Sequence, residues 1–193
     1  MQNLPAEGPV VVVANHASTL DPLALGVACP RAVYFMAKEE LFRNPVSAFF
    51  LRALHAFPVV RGQADREAYR MSMEVLKNGC VLGIFPEGTR SKTGGLLRAH
   101  PGAARFSLQT GSPVVPAAVV GTFPGHRKGV NRFRTPGVRV IFGEPIDPSV
   151  FTGGEKATRE MTDAFAHEIM GRVEQLMSVL LLEGSERNST GSV

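Results

Sequence analysis

The chain is poor in cysteine and has no long apolar run. Among 193 residues there are two cysteines, Cys29 and Cys80, with no metal-ligand spacing. Each sits in an apolar setting, so both are expected to be small buried hydrophobes. A disulfide framework is excluded, and a reducing compartment is the expectation. No uninterrupted apolar stretch approaches the roughly 18 residues that a membrane-spanning helix needs. Contact with a membrane is therefore expected from the surface. The start, Met1 to Pro5, lacks the positive region and apolar core of a secretion signal. The five histidines, His16, His55, His100, His126 and His167, are scattered, and no metal site is expected from them. The charge balance is mild, at +4 with a pI near 9.4. It favours anionic partners such as phosphate or acidic lipid and does not imply nucleic acid.

Hydrophobic residues make up 44% and charged residues 20%. That balance and length suit one globular domain with a real core. The domain is expected over residues 1–183, with 184–193 as a polar, disordered tail. Val10 to Ala14 is β-branched and apolar, the pattern of a strand buried on both faces. Asp21-Pro22 marks a helix start, with Asp21 at N-cap and Pro22 at N1. Further strands are expected at 32–36, 57–60, 81–85, 114–120 and 137–142. Helices are expected at 38–43, 45–56, 65–78, 102–109 and 155–182, the last with apolar residues at amphipathic spacing. Alternating strands and helices predict an α/β fold, a single domain with a largely parallel central sheet flanked by helices. Ligands in such sheets bind beyond the carboxyl ends of strands. The two most polar loops, 15–21 and 86–91, each follow a strand directly and are expected to meet.

Four segments carry candidate chemistry. In Asn15-His16-Ala17-Ser18-Thr19-Leu20-Asp21 a histidine and an aspartate stand five apart. One ideal helix would not put them on one face, but a loop running into a helix start can. Asp21 could then fix the imidazole tautomer and leave the other nitrogen to take a proton from a hydroxyl. Taken alone the pattern is short, and a helix cap beside an ordinary loop histidine is the better explanation of it. In Phe85-Pro86-Glu87-Gly88-Thr89-Arg90-Ser91, Gly88 permits close backbone approach. Arg90 can grip a phosphate, and Glu87 and Thr89 could contact a polyol. The plainer alternative is a turn with a Glu87–Arg90 ion pair. Phe57 to Gly62 delivers Arg61 from an extended piece, although taken alone one surface arginine among many is the better reading. Val114 to Gly121 is almost wholly apolar, a core strand that positions the site or lines an acyl slot.

Together and in this order, the four segments resemble the four sequence blocks of the 1-acylglycerol-3-phosphate acyltransferase family, the lysophosphatidic acid acyltransferases. Asn-His-x4-Asp is the first block, Arg61-Gly62 the core of the second, Phe-Pro-Glu-Gly-Thr-Arg-Ser the third, and the Val-Pro strand ending at Gly121 the fourth. The resemblance covers roughly residues 9–145, and four ordered blocks are far more specific than one. Val60 departs from the acidic residue that many members carry before the arginine. The resemblance implies that His16 is the general base and Asp21 its orienting partner. It implies that Arg61 and Arg90 bind the acceptor phosphate, with Glu87, Gly88 and Thr89 seating the glycerol part. The expected reaction moves a fatty acyl group onto the free hydroxyl of 1-acylglycerol-3-phosphate, giving phosphatidic acid. Acyl-CoA or acyl carrier protein is the expected co-substrate, and no other cofactor is expected.

Neither cysteine falls in the four blocks, so direct transfer is expected rather than an acyl-enzyme. Two alternatives stand beside the main reading: an acyltransferase for another lysolipid or glycolipid acceptor, and a non-catalytic lipid-binding module. The His16–Asp21 pair argues against the second, because binding alone needs no base. Two stretches mix basic and apolar residues in a way that suits an anionic lipid surface. Leu41 to Phe57 carries Arg43, Arg52 and His55, and Thr122 to Gly137 carries Arg127, Lys128, Arg132 and Arg134 without an acid. Core packing and a solvated face are the plainer readings of the two. The expected location is cytoplasmic, peripherally on the inner face of the membrane.

Overall fold

A computed structural model describes residues 3–59, 66–123 and 137–190, with 185–190 as backbone alone. Six strands form one sheet: β1 (Val10–Ala14), β2 (Val33–Lys38), β3 (Ala56–Val59), β4 (Val81–Ile84), β5 (Val114–Val120) and β6 (Arg139–Phe142). Their order is β3-β2-β4-β1-β5-β6. β1 runs parallel to β4 and β5, and β2 runs parallel to β3 and β4. β6 is antiparallel to β5 at one edge. The α/β fold with a largely parallel sheet is therefore as the alternation implies.

The helices are α1 (Asp21–Ala28), α2 (Pro45–Ala53), α3 (Arg66–Lys77), α4 (Gly102–Thr110), α5 (Ser149–Thr152) and α6 (Arg159–Thr190), with a 3-10 turn at Glu39–Phe42. Every residue of β1 and β5 is buried, which is why both read as unbroken apolar runs. Their side chains alternate between two layers. Val11, Val13, Val114 and Ala118 pack with α3, α4 and α6 residues such as Leu76, Ala104, Phe165 and Val173. Val10, Val12, Val115 and Val119 pack with Leu25 and Cys29 around α1. Each fully buried aliphatic side chain of this kind contributes about 1.5–3 kcal/mol to burial.

Several boundaries differ from the sequence reading. The helix expected through residue 56 ends at Ala53, because His55 turns into the left-handed region at φ 53 and Ala56 is already paired with Phe35 of β2. Asp21 is the first residue of α1 rather than its N-cap. The cap position is Leu20, which makes no side-chain cap bond. The helix expected at 155–182 starts at Arg159 and continues to Thr190.

Strand register does the positioning. Val13 of β1 is level with Ile84 of β4 and Pro116 of β5. The segments that follow β1, β4 and β5 therefore leave the same edge of the sheet side by side.

Candidate active site

Asn15 leaves β1 but keeps the pairing going with its side chain. Its Oδ1 accepts the amide of Val119 at 2.8 Å and its Nδ2 donates to the Val119 carbonyl at 2.9 Å. His16 follows on a loop held from both sides. Its backbone amide donates to Glu87 Oε1 at 2.8 Å, and its carbonyl accepts from the Ser91 amide at 2.8 Å. The two polar loops thus meet, as their places after strands suggested.

The His16 ring is fixed as firmly as its backbone. Nδ1 lies 2.9 Å from Asp21 Oδ2. That oxygen also accepts the amides of Ala17 and Ser18 at 2.7 Å each. The other oxygen, Oδ1, accepts the Thr122 hydroxyl at 2.5 Å. Asp21 is wholly buried, so four donors compensate a carboxylate that has no water. This is why Asp21 turns back into its own loop instead of capping α1. A carboxylate only accepts, so the proton of a neutral imidazole sits on Nδ1 and the lone pair on Nε2. The His16 side chain keeps 16% of its surface exposed.

Below the ring, Phe85 stacks on His16 with centroids 4.4 Å apart, and Phe35 stacks on Phe85 at 5.9 Å. Gly83 makes room for this pile. A Cβ there would run into the Phe35 ring and lie 2.8 Å from the Val33 side chain. A glycine inside β4 is thus a close-approach site that lets Phe35 support the ring below the histidine.

The third segment divides into a buried and an exposed half. Glu87 is 4% exposed, and its second carboxylate oxygen accepts the Leu97 amide at 3.0 Å. Burial raises its pKa above the ordinary value, and the amides of His16 and Leu97 pull it part of the way back. Both oxygens are engaged with backbone, so Glu87 ties the His16 loop to the chain after the turn. The ion pair with Arg90 that a plain surface turn would form is not among the described contacts. Gly88 has φ 64, which a side chain would strain, and its amide closes a turn on Phe85. Gly88, Thr89 and Arg90 are exposed at the outer end of that turn. The His100 ring stands beside them, 3.4 Å from where a Cβ on Gly88 would lie. Arg61 lies outside the described residues, as do Arg127, Lys128, Arg132 and Arg134.

Thr122 had no signal in the sequence. It is 2% exposed and bonds a residue 101 positions away, which only the closure of the sheet brings near. Asn15 was visible as part of a motif, but its function as a side-chain extension of β1 was not. Beside Asn15 and Thr122 opens a mostly apolar cleft of about 250 Å³, lined also by Val119, Val120, Phe123 and Met177. Among the described residues, no group of three or more His, Cys, Asp or Glu is placed to hold a metal ion. No helix among them is long and apolar enough to cross a membrane.

The chain is similar to known proteins. The family model described as Acyltransferase matches residues 1–120. A 1-acyl-sn-glycerol-3-phosphate acyltransferase of Bacillus subtilis is 32% identical over 180 residues, which is 93% of this chain and 86% of that protein. A chloroplastic 1-acyl-sn-glycerol-3-phosphate acyltransferase of Brassica napus is 34% identical over 152 residues. That match spans 76% of this chain and 43% of the plant protein, less than half its length. Among solved structures, the 1-acyl-sn-glycerophosphate acyltransferase of Thermotoga maritima superimposes with a TM-score of 0.66 at 34% identity. It covers 91% of this chain, which spans 69% of the Thermotoga chain. With its sheet, its histidine–aspartate pair and these matches, the chain is an acyltransferase and belongs to the 1-acylglycerol-3-phosphate acyltransferase family.

Proposed function

We propose that the protein transfers a fatty acyl group from acyl-CoA or acyl carrier protein to the free hydroxyl of 1-acylglycerol-3-phosphate, with His16 as general base. The observation that carries this reading is the 2.9 Å contact between His16 Nδ1 and Asp21 Oδ2, which leaves Nε2 as an unprotonated acceptor. The acceptor hydroxyl gives its proton to Nε2 as its oxygen attacks the thioester carbonyl carbon. A carbon–oxygen bond forms and the carbonyl becomes a tetrahedral oxyanion. The carbon–sulfur bond then breaks, and the departing thiolate recovers the proton from His16. Base catalysis of this kind is worth about 10²- to 10⁴-fold.

A positioned hydroxyl is the second requirement. Arg90, at the exposed end of the turn, and Arg61 grip the acceptor phosphate, with Gly88 and Thr89 next to the glycerol. Glu87 acts one step back, by holding the His16 loop against the turn that bears Arg90. Asp21 and Thr122 orient the imidazole. The apolar cleft beside Thr122 suits an acyl chain. The protein works peripherally at a membrane, on the cytoplasmic side.

Thioester consumption by the purified protein tests the reading. Free thiol is expected to appear only when 1-acylglycerol-3-phosphate is added, together with phosphatidic acid in equal amount. Thiol release with a lysolipid that lacks phosphate, and none with 1-acylglycerol-3-phosphate, would reject the acceptor. No thiol release with any acceptor would reject the activity.

A further inference from the structure

The two faces of the sheet are covered unequally. α3, α4 and α6 build the layer around Val11, Val13, Leu82 and Ala118. The opposite layer rests on the short α1, which buries Leu25. Leu54, the residue that caps α2, lies against it, since a Cβ on Gly26 would sit 3.9 Å from the Leu54 side chain. Both short helices are apolar on the outside as well as the inside. α2 buries Ala48 and half-buries Leu51, yet exposes Val46, Phe49 and Phe50 at 64%, 70% and 61%. These three stand at i, i+3 and i+4, one continuous stripe facing away from the core. Phe49 and Phe50 meet edge to face, with centroids 5.7 Å apart. α1 likewise exposes Leu23 and Val27, and Leu20 just before it, at 45%, 78% and 41%. Two neighbouring helices that hide one apolar stripe and show another to water mark an interaction surface.

Charge and position decide what it meets. Exposed Arg43 and Arg52 flank the α2 stripe, and α2 itself contains no acid. Exposed Lys38 ends β2, and the nearest acids in sequence, Glu39 and Glu40, sit on the 3-10 turn between them. A two-fold copy of the chain docked here would bring the same arginines toward one another. A bilayer with anionic headgroups would pair with them while accepting the phenylalanines at the headgroup boundary. The surface also starts at the site. Leu20 adjoins Asp21, and the turn leading to α2 leaves β2 at the sheet edge where His16 stands.

We propose that the outer stripes of α2 and α1, centred on Phe49 and Phe50 and flanked by Arg43 and Arg52, dock the protein on an anionic lipid bilayer and present the His16 edge to lipids in it. The proposal rests on the lysolipid reading of the site, because a fatty acceptor resides in a membrane. Its test separates the two. The intact protein and the double variant Phe49→Gln, Phe50→Gln are sedimented with vesicles of phosphatidylcholine, with and without phosphatidylglycerol. Both side chains are largely exposed, so the variant is expected to keep the wild-type melting temperature. Wild type is expected to bind the anionic vesicles, and the variant to lose at least about tenfold in partition. The rate with a short-chain, water-soluble acceptor is expected to be unchanged, while the rate with acceptor embedded in vesicles falls in step with binding. Equal vesicle binding by variant and wild type overturns the proposal, as does a wild type that binds no vesicles. A wild-type dimer in light scattering that the variant dissociates also overturns it and assigns the stripe to a second copy. Vesicle binding that depends on Phe49 and Phe50, in a protein that acylates no glycerophosphate, leaves the docking surface standing and removes the catalytic reading alone.

Discussion

Asp21 is wholly buried and accepts four hydrogen bonds, from His16, Ala17, Ser18 and Thr122. Arg90 stands exposed at the outer end of a glycine turn. The floor of the site, comprising Asn15, His16, Asp21, Glu87 and Thr122, is held by tertiary hydrogen bonds between the ends of three strands. The rim, comprising Gly88, Thr89, Arg90 and His100, faces solvent. The difference follows from what each must do. On the proposed reading, a base must meet one proton in one direction, and the His16 ring is held for that by Asp21 and Phe85. On the same reading, a phosphate grip must reach a ligand that enters from water, and Arg90 stands exposed where it could do so. Floor substitutions should therefore act on kcat and stability, and rim substitutions on KM.

The largest expected effect is at the base. His16→Ala is expected to lower kcat by at least about 10²-fold with acceptor binding kept. Wild-type turnover in this variant would end the general-base reading. Asp21→Asn is expected to cost about 10²-fold or more in kcat, because the tautomer is no longer dictated. It should also cost about 1–3 kcal/mol of stability, since an amide cannot accept from all four donors. Denaturant melts read beside initial rates check both parts, and unchanged stability would show that the four contacts do not hold the loop.

Thr122→Val tests whether the floor extends to the end of β5. Removing the hydroxyl while keeping the shape should lower kcat about tenfold, the worth of a charge-assisted hydrogen bond, and leave KM near wild type. Thr122→Ser should restore activity. A KM effect alone would move Thr122 to the acceptor site. On the rim, Arg90→Ala is expected to raise KM for 1-acylglycerol-3-phosphate about tenfold with a smaller change in kcat, and Arg61→Ala to act in the same direction. If both variants keep wild-type kinetics, the phosphate grip lies elsewhere.

The smallest effect concerns Glu87, which belongs to the floor although it shares a motif with the rim. Its raised pKa means that the folded state holds the proton more tightly than the unfolded chain does. Its contribution to stability is therefore full at low pH and is lost as pH rises through the raised value. Glu87→Gln removes that titration. The stability difference between wild type and Glu87→Gln should fall as pH rises above the ordinary carboxylate range, by at most about 1.4 kcal/mol per pH unit. A difference that is flat with pH would contradict the burial argument.

How far the sequence could be read depended on whether a signal was local. The β-branched runs at 10–14 and 114–120 marked central strands because both faces of each are buried. The pairing of His16 with Asp21 was legible only through the four ordered blocks, because the local spacing alone fits a helix cap beside a loop histidine. The end of α2 was not legible. His55 takes a left-handed conformation there, and the next residue is already paired with β2, a constraint invisible from helical spacing. Glu87 looked like a polyol contact because it adjoins Gly88 and Thr89. Its burial and its bonds to His16 and Leu97 come from chain segments on either side of the turn.

By itself the sequence determined the class of fold, the order of its strands and helices, and a histidine with an aspartate in reach at the end of a buried strand. These depend on side-chain periodicity and short-range spacing, which a linear chain carries in full. Only the tertiary structure decided that Thr122 completes the Asp21 shell, that Glu87 braces the His16 loop, and that Gly83 admits the Phe35–Phe85 pile beneath the imidazole. Each of these depends on register between strands far apart in the chain. Register is set by how the whole sheet closes, and no single segment encodes it.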